Sequence, residues 1–169
     1  MIHLYYGEGK GKTTAACGLA VRAAGSGMKV LFVQFFKNGE SSEIRVLSSL
    51  PGVTVKLPKV YHGRYKTMKD EQKNDVKENY SAFLKEVTES AKDYDMIVLD
   101  EAVSAYGYGM FDRSVLIGFL KNEGAPREIV LTGRAPAKEL LDVSDYATEM
   151  RKEKHPFDRG VAGRKGIEF

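Results

Sequence analysis

The 169-residue chain predicts an α/β fold, a mainly parallel sheet with helices on both faces. Three observations carry that expectation. Short apolar runs alternate with amphipathic helical patterns, the arrangement that crossover connections between parallel strands produce. The runs at 30–33, 96–99 and 129–131 are apolar without interruption, as strands covered on both sides require. The first run, Ile2-His-Leu-Tyr-Tyr6, delivers the chain into Gly7-Glu-Gly-Lys-Gly-Lys-Thr-Thr14, and a helix-forming segment follows at once.

Taken in order, the first strand covers 2–6. The helix after it, about 12–25, is rich in alanine, which lets it lie close to a sheet, and Gly25-Ser-Gly27 stops it. Strands are expected at 29–36 and 53–57. The stretch 58–70 has no clear period and reads as a surface loop; a basic, aromatic loop of that length is more often functional than idle. The longest helix, about 70–93, places Val76, Tyr80, Phe83, Val87 and Ala91 at spacings of three and four. A strand at 96–100 follows, then a helix at about 112–122 with Val115, Leu116, Phe119 and Leu120 as its buried stripe. Gly124-Ala-Pro126 ends it. The last expected strand is 128–132, and Pro136 opens a short helix through Leu141. No repeat, linker or low-complexity tract divides the chain, so residues 1–169 are expected to form one domain with one core.

Hydrophobic content of 43% with 29% charged residues is that of an ordinary soluble protein. A net charge of +3 suits an anionic ligand but is too weak and too scattered to mark a nucleic-acid binder. No apolar run is long enough for a membrane span, and Met1 leads into the first strand without a signal peptide, so a cytoplasmic location is expected. A single cysteine, Cys17, excludes a disulfide scaffold and a cysteine-built metal site.

The chemistry lies in the glycine-rich turn. Glycines let successive backbone N–H groups face inward around an anion, and the helix beginning near Lys12 adds its positive end. Lys12 would reach phosphate oxygens, and the Thr13 hydroxyl would supply an oxygen to Mg²⁺. The usual spacing, Gly-x-x-x-x-Gly-Lys-Ser/Thr, places the first glycine at position 6, where Tyr6 stands; Gly7 comes one residue late. A second half of the site is expected where Met96-Ile-Val-Leu-Asp100-Glu101 ends in two carboxylates. An acid there would hold Mg²⁺ opposite Thr13, or Asp100 would cap the next helix. The strand ending in Thr132, with Arg134 beyond it, would face the same phosphates if it lies beside the first strand; otherwise Arg134 is a solvated turn residue. Tyr106-Gly-Tyr-Gly109 reads as core or pocket wall, with core favoured. His3, His62 and His155 have no ligand spacing, and His3 reads as a sheet residue.

Several segments occur together in one order: Gly7 through Ala16, Val33-Gln-Phe-Phe-Lys37, Val98-Leu-Asp-Glu101, Leu131-Thr-Gly-Arg134 with Glu139-Leu-Leu-Asp142, and the tail His155-Pro-Phe-Asp-Arg-Gly-Val161 through Gly166-Ile-Glu-Phe169. In this order they resemble the bacterial ATP:corrinoid adenosyltransferases of the CobA/CobO/BtuR type, over nearly the whole chain. The late glycine is part of that family's loop. The resemblance implies a three-layer, RecA-like P-loop NTPase fold with about six strands, the strand of Thr132 lying between the first strand and that of Asp100. It implies an enzyme that transfers the 5′-deoxyadenosyl group of ATP to the Co(I) centre of a corrinoid and releases triphosphate. ATP is implied to bind in reversed sense, with Gly7, Glu8, Gly9, Lys10, Gly11, Lys12, Thr13, Thr14 and Arg134 around it. Lys12, Thr13 and Glu101 are the implied catalytic set, and Thr13, Asp100 and Glu101 the implied Mg²⁺ ligands. A flavoprotein reductant and a homodimer are implied as well.

Two departures from the family pattern stand out. Well-known members carry an N-terminal arm ahead of the first strand, where this chain starts. They also carry a Gly-Phe-Thr-Trp-like segment whose aromatics displace the lower axial ligand of the corrinoid; the nearest equivalent here is Gly63-Arg-Tyr-Lys66, leaving Tyr65 to do that work. The rival readings are another P-loop enzyme (a small-molecule kinase or an ATPase), a RecA-like nucleic-acid module, and a binder without turnover. The first would release ADP rather than triphosphate, and dispersed charge opposes the second.

Overall fold

A computed structural model describes residues 1–168; Phe169, the last residue of the tail signature, lies outside the described residues. Among the described residues six strands form one sheet: β1 (Ile2–Tyr6), β2 (Val30–Gln34), β3 (Val53–Lys56), β4 (Met96–Asp100), β5 (Glu128–Gly133) and β6 (Tyr146–Glu149). Their order is β3-β2-β4-β5-β1-β6, and every neighbouring pair is parallel. The helices are α1 (Lys12–Gly25), α2 (Ser42–Leu47), α3 (Asp70–Ser90), α4 (Ala102–Gly107), α5 (Arg113–Glu123) and α6 (Lys138–Asp142).

Side chains alternate across each strand, so the uninterrupted apolar runs feed two cores. Val30, Phe32, Met96, Val98 and Val130 face Ala16, Ala20 and Ala23 of α1 and Ile44 and Leu47 of α2. Leu31, Val33, Ile97, Leu99, Ile129 and Leu131 face the opposite way, onto Val76, Tyr80, Phe83, Leu84 and Val87 of α3 and the buried faces of α4, α5 and α6. Small alanines keep α1 close to the sheet, which holds the turn before it against the strand ends. The result is three layers, as expected.

The differences from the sequence expectation have local causes. The second strand stops at Gln34 because Phe36 takes a left-handed conformation, φ 53°, that ends pairing. Val115 is 40% exposed, so the buried stripe of α5 is Leu116, Phe119 and Leu120 alone. Pro136 does not open α6, which begins at Lys138 with Ala137 as its N-cap. The long helix ends at Ser90 and continues only as a 3₁₀ turn, Ala91–Asp93. Loop 58–70 holds one 3₁₀ turn, Tyr65–Thr67, before α3 begins at Asp70. Three short elements are not announced by the pattern: α2 and α4 bury apolar residues but are only six residues long, and the four residues of β6 are all exposed.

Strand register brings the chemical residues to one edge. Tyr6 pairs with Gly133, Leu99 with Leu131 and Gln34 with Asp100, so the turns after β1, β2, β4 and β5 open side by side at the carboxyl end of the sheet. Leu131, 1% exposed in a central strand, is expected to cost about 2–5 kcal/mol when cut to alanine. Val115→Ser is expected to stay within about 0.5 kcal/mol of wild type, since that side chain faces water. Urea unfolding of the two variants checks both values.

Candidate functional site

The turn Gly7–Gly11 connects β1 to α1, and both flanking glycines stand at φ 110°. Gly11 is the helix N-cap in a left-handed conformation and Ala15 N–H donates to its carbonyl at 2.8 Å, so the helix starts directly from the turn. The Lys12 ammonium folds over the turn and donates to the carbonyls of Gly7 (2.8 Å) and Gly9 (2.7 Å). Burial lowers its pKa, against the pull of Glu101.

Beneath the turn lies Asp100, fully buried at the end of β4. Its Oδ1 accepts from the hydroxyls of Thr13 (2.8 Å) and Thr132 (2.6 Å). Its Oδ2 accepts from Gln34 Nε2 at 3.1 Å and pairs with Lys37 Nζ at 3.2 Å. Residues from β2, β4, β5 and α1 therefore meet on one carboxylate. The helix-cap alternative for Asp100 does not hold: the N-cap of α4 is Glu101, at φ 60°, and no side chain caps that helix.

Thr132 joins the two acids, since its hydroxyl donates to Asp100 and accepts from Glu101 N–H at 2.9 Å. Glu101 Oε2 accepts from Ser104 Oγ at 2.6 Å. Burial and then the neighbouring Asp100 charge raise the Glu101 pKa above its ordinary value. Arg134 reaches back from β5 across the turn to Glu8 Oε2 at 2.6 Å, a pair open to solvent on both sides. Lys10 and Thr14 are exposed on the rim.

Lys37, Glu43 and Gln34 also belong to this site, although the sequence pattern assigns them no role. Lys37 Nζ lies 3.5 Å from Thr13 Oγ1 and 3.5 Å from Glu43 Oε1, as well as beside Asp100. Burial disfavours its charge, but Asp100 and Glu43 prevail and its pKa is raised. A polar residue ending a fully buried strand was the available signal for Gln34; Glu43 carried none, because α2 itself was not legible.

Tyr65 is half-buried and stacks on Tyr108, with ring centres 4.0 Å apart and planes 11° from parallel; Phe36 stands edge-on to both. The Tyr106-Gly-Tyr-Gly109 segment thus splits: Tyr106 is core, its hydroxyl donating to Glu139, and Tyr108 is exposed. The histidines stay apart, with His3 against Glu128 and His62 against Asp75. Among the described residues no three His, Cys, Asp or Glu side chains gather as a metal centre. Burial pushes the Cys17 thiol up to about 12, so it is inert at neutral pH.

The profile of the family described as ATP:corrinoid adenosyltransferase BtuR/CobO/CobP matches residues 1–169. The chain belongs to this family. It is 32% identical to the corrinoid adenosyltransferase of Escherichia coli K12 over 175 aligned residues, covering all of this chain and 85% of that protein. It is 29% identical to the corrinoid adenosyltransferase of Pseudomonas aeruginosa, covering 98% and 82%. The fold, a six-stranded parallel sheet between layers of helices, is shared with the flagellar accessory protein FlaH of Methanocaldococcus jannaschii. That likeness has a TM-score of 0.52 at 18% identity, covering 89% of this chain and 69% of that one. Family membership makes the chain a transferase.

The Glu101 shift has a definite sign. A carboxyl group whose pKa is raised by folding contributes stability at low pH that is lost as pH rises through the folded value. In metal-free buffer, Glu101→Gln is expected to gain melting temperature relative to wild type as pH rises above 4.5, the ordinary value for that group. Melting curves in chelator from acid to neutral pH check the sign.

Proposed function

We propose that the chain transfers the 5′-deoxyadenosyl group of ATP to the Co(I) centre of a corrinoid, releasing triphosphate, in adenosylcobalamin synthesis or salvage. The observation that supports it most is the family match over residues 1–169, which takes in the tail as well as the phosphate loop. Reduced cobalt attacks C5′ with its electron pair, the Co–C bond forms, and the C5′–O bond breaks with its electrons leaving on triphosphate. No protein nucleophile is needed. The protein must hold the two reactants in line and neutralise the leaving charge.

On this reading Lys12, the loop amides, Lys10 and Arg134 surround the triphosphate. Thr13 and Asp100, with Glu101 beside them, offer the hard oxygen ligands that Mg²⁺ takes. The fit is supported by Lys37, whose ammonium lies within 3.5 Å of the Thr13 and Asp100 oxygens: the space between them already accepts a cation. Mg²⁺ held there would neutralise part of the charge on the departing triphosphate. The stacked Tyr65–Tyr108 pair would give the corrinoid a flat aromatic surface in place of the missing tryptophan. Residues 1–169 act as one domain, and the same reading includes a flavoprotein that delivers electrons to cobalt, a homodimer and a cytoplasmic setting. No helix among the described residues is long and apolar enough to cross a membrane.

The test is an anaerobic assay with chemically reduced cob(I)alamin and MgATP. Light-sensitive adenosylcobalamin with one triphosphate per turnover is expected, and Lys12→Ala is expected to lower kcat/KM by about 100-fold or more. ADP or phosphate without a corrinoid product would overturn the proposal in favour of a kinase or ATPase.

A further inference from the structure

The glycine that comes one residue late has a neighbour that accounts for it. β6 runs parallel to β1, and the last pair in their register is Tyr6 with Glu149. Both chains therefore leave the sheet side by side, one into the phosphate loop and one into the tail. Met150, the first residue past β6, is tied to the loop twice. Its N–H donates to the carbonyl of Tyr6 at 2.7 Å, and its carbonyl accepts from Gly9 N–H at 2.6 Å. The tail backbone thus grips the loop at its entrance and at its middle.

The approach leaves no room for side chains. A Cβ at Gly7 would stand 2.7 Å from the Met150 carbonyl oxygen, and one at Gly9 would stand 2.5 Å from it and 2.8 Å from that of Arg151. Gly7 also has a positive φ, so two causes favour glycine there. Gly9 does not, and the tail backbone is what forbids a side chain at that position. Lys12 meanwhile takes the carbonyls of Gly7 and Gly9, so the loop is held through both its amide and its carbonyl groups. β6 buries none of its four side chains. Its place at the sheet edge adds little to the core and delivers Met150 to the loop.

We propose that the Met150–Arg151 backbone is a positioning element of the phosphate loop, setting the loop's shape before nucleotide arrives. This rests on the reading of the loop as the ATP site. Gly9 N–H is spent on the tail, so the loop amides left for phosphate are its neighbours, and the tail determines how they are presented. Any change that shifts β6 or the residue after it would change triphosphate affinity without touching the nucleotide.

Two full-length variants approach the contact from opposite sides. Met150→Pro deletes the N–H that binds Tyr6, and Gly9→Ala drives a methyl group into the Met150 carbonyl. Amide hydrogen exchange on the nucleotide-free protein, read by NMR, is expected to show the residue 9 amide protected in wild type and exposed in both variants. MgATP affinity, measured by titration, is expected to fall about tenfold in each, the equilibrium equivalent of roughly one hydrogen bond. Should Met150→Pro fail to fold, Gly9→Ala decides alone. A wild-type Gly9 amide that exchanges as fast as an exposed loop, or variants that bind MgATP within twofold of wild type, would overturn the proposal. Wild type that shows Gly9 protection but no ATP binding would leave the strap standing and remove the nucleotide reading instead.

Discussion

The architecture of the site depends on one buried carboxylate. Asp100 has no exposure to solvent and holds four partners from three elements and a loop: Thr13 on α1, Gln34 at the end of β2, Lys37 in the loop past it, and Thr132 on β5. A charge in that position is costly unless it is fully bonded, and a network that satisfies it is correspondingly hard to rearrange. Because Thr13 is the second residue of α1, the bond to Asp100 also fixes the start of that helix and the turn before it. Removing the carboxylate would leave two hydroxyls, an amide and an ammonium to find other partners.

Sheet order makes this meeting possible. β1 and β4 are not adjacent in the sheet. β5 lies between them, and its Thr132 both donates to Asp100 and receives Glu101 N–H. Glu101 stands in a left-handed conformation at the head of α4, and its carboxylate accepts from Ser104 Oγ. The two acids, adjacent in sequence, are given different surroundings. One is fully bonded beneath the loop; the other has a raised pKa set by burial and by its neighbour.

Much of this was legible in the sequence, for physical reasons that can be named. Strands covered on both faces must be continuously apolar, so β2, β4 and β5 announced themselves; a glycine-rich turn between strand and helix identified Lys12 and Thr13. The elements that the pattern does not announce are too short or too exposed to show a period. β6 is an exposed edge strand paired with β1, and α2 is six residues long, so neither Met150 nor Glu43 could be placed. Val115 fits the helical spacing of its neighbours yet faces water, because the packed face of α5 is narrower than the periodicity suggests. The displaced Gly7 was read as a variant of a phosphate motif. In space it also answers to the tail that crosses it.

On the proposed reading, Asp100 ties the glycine-rich turn that would hold triphosphate to the position where Mg²⁺ would sit. The most direct test of this reading is ATP binding with and without Mg²⁺, by calorimetric titration, in wild type and in Asp100→Asn. Mg²⁺ is expected to strengthen ATP binding in wild type, and the asparagine variant is expected to lose this enhancement while remaining folded. An Asp100→Asn protein whose ATP affinity responds to Mg²⁺ as wild type does would contradict it.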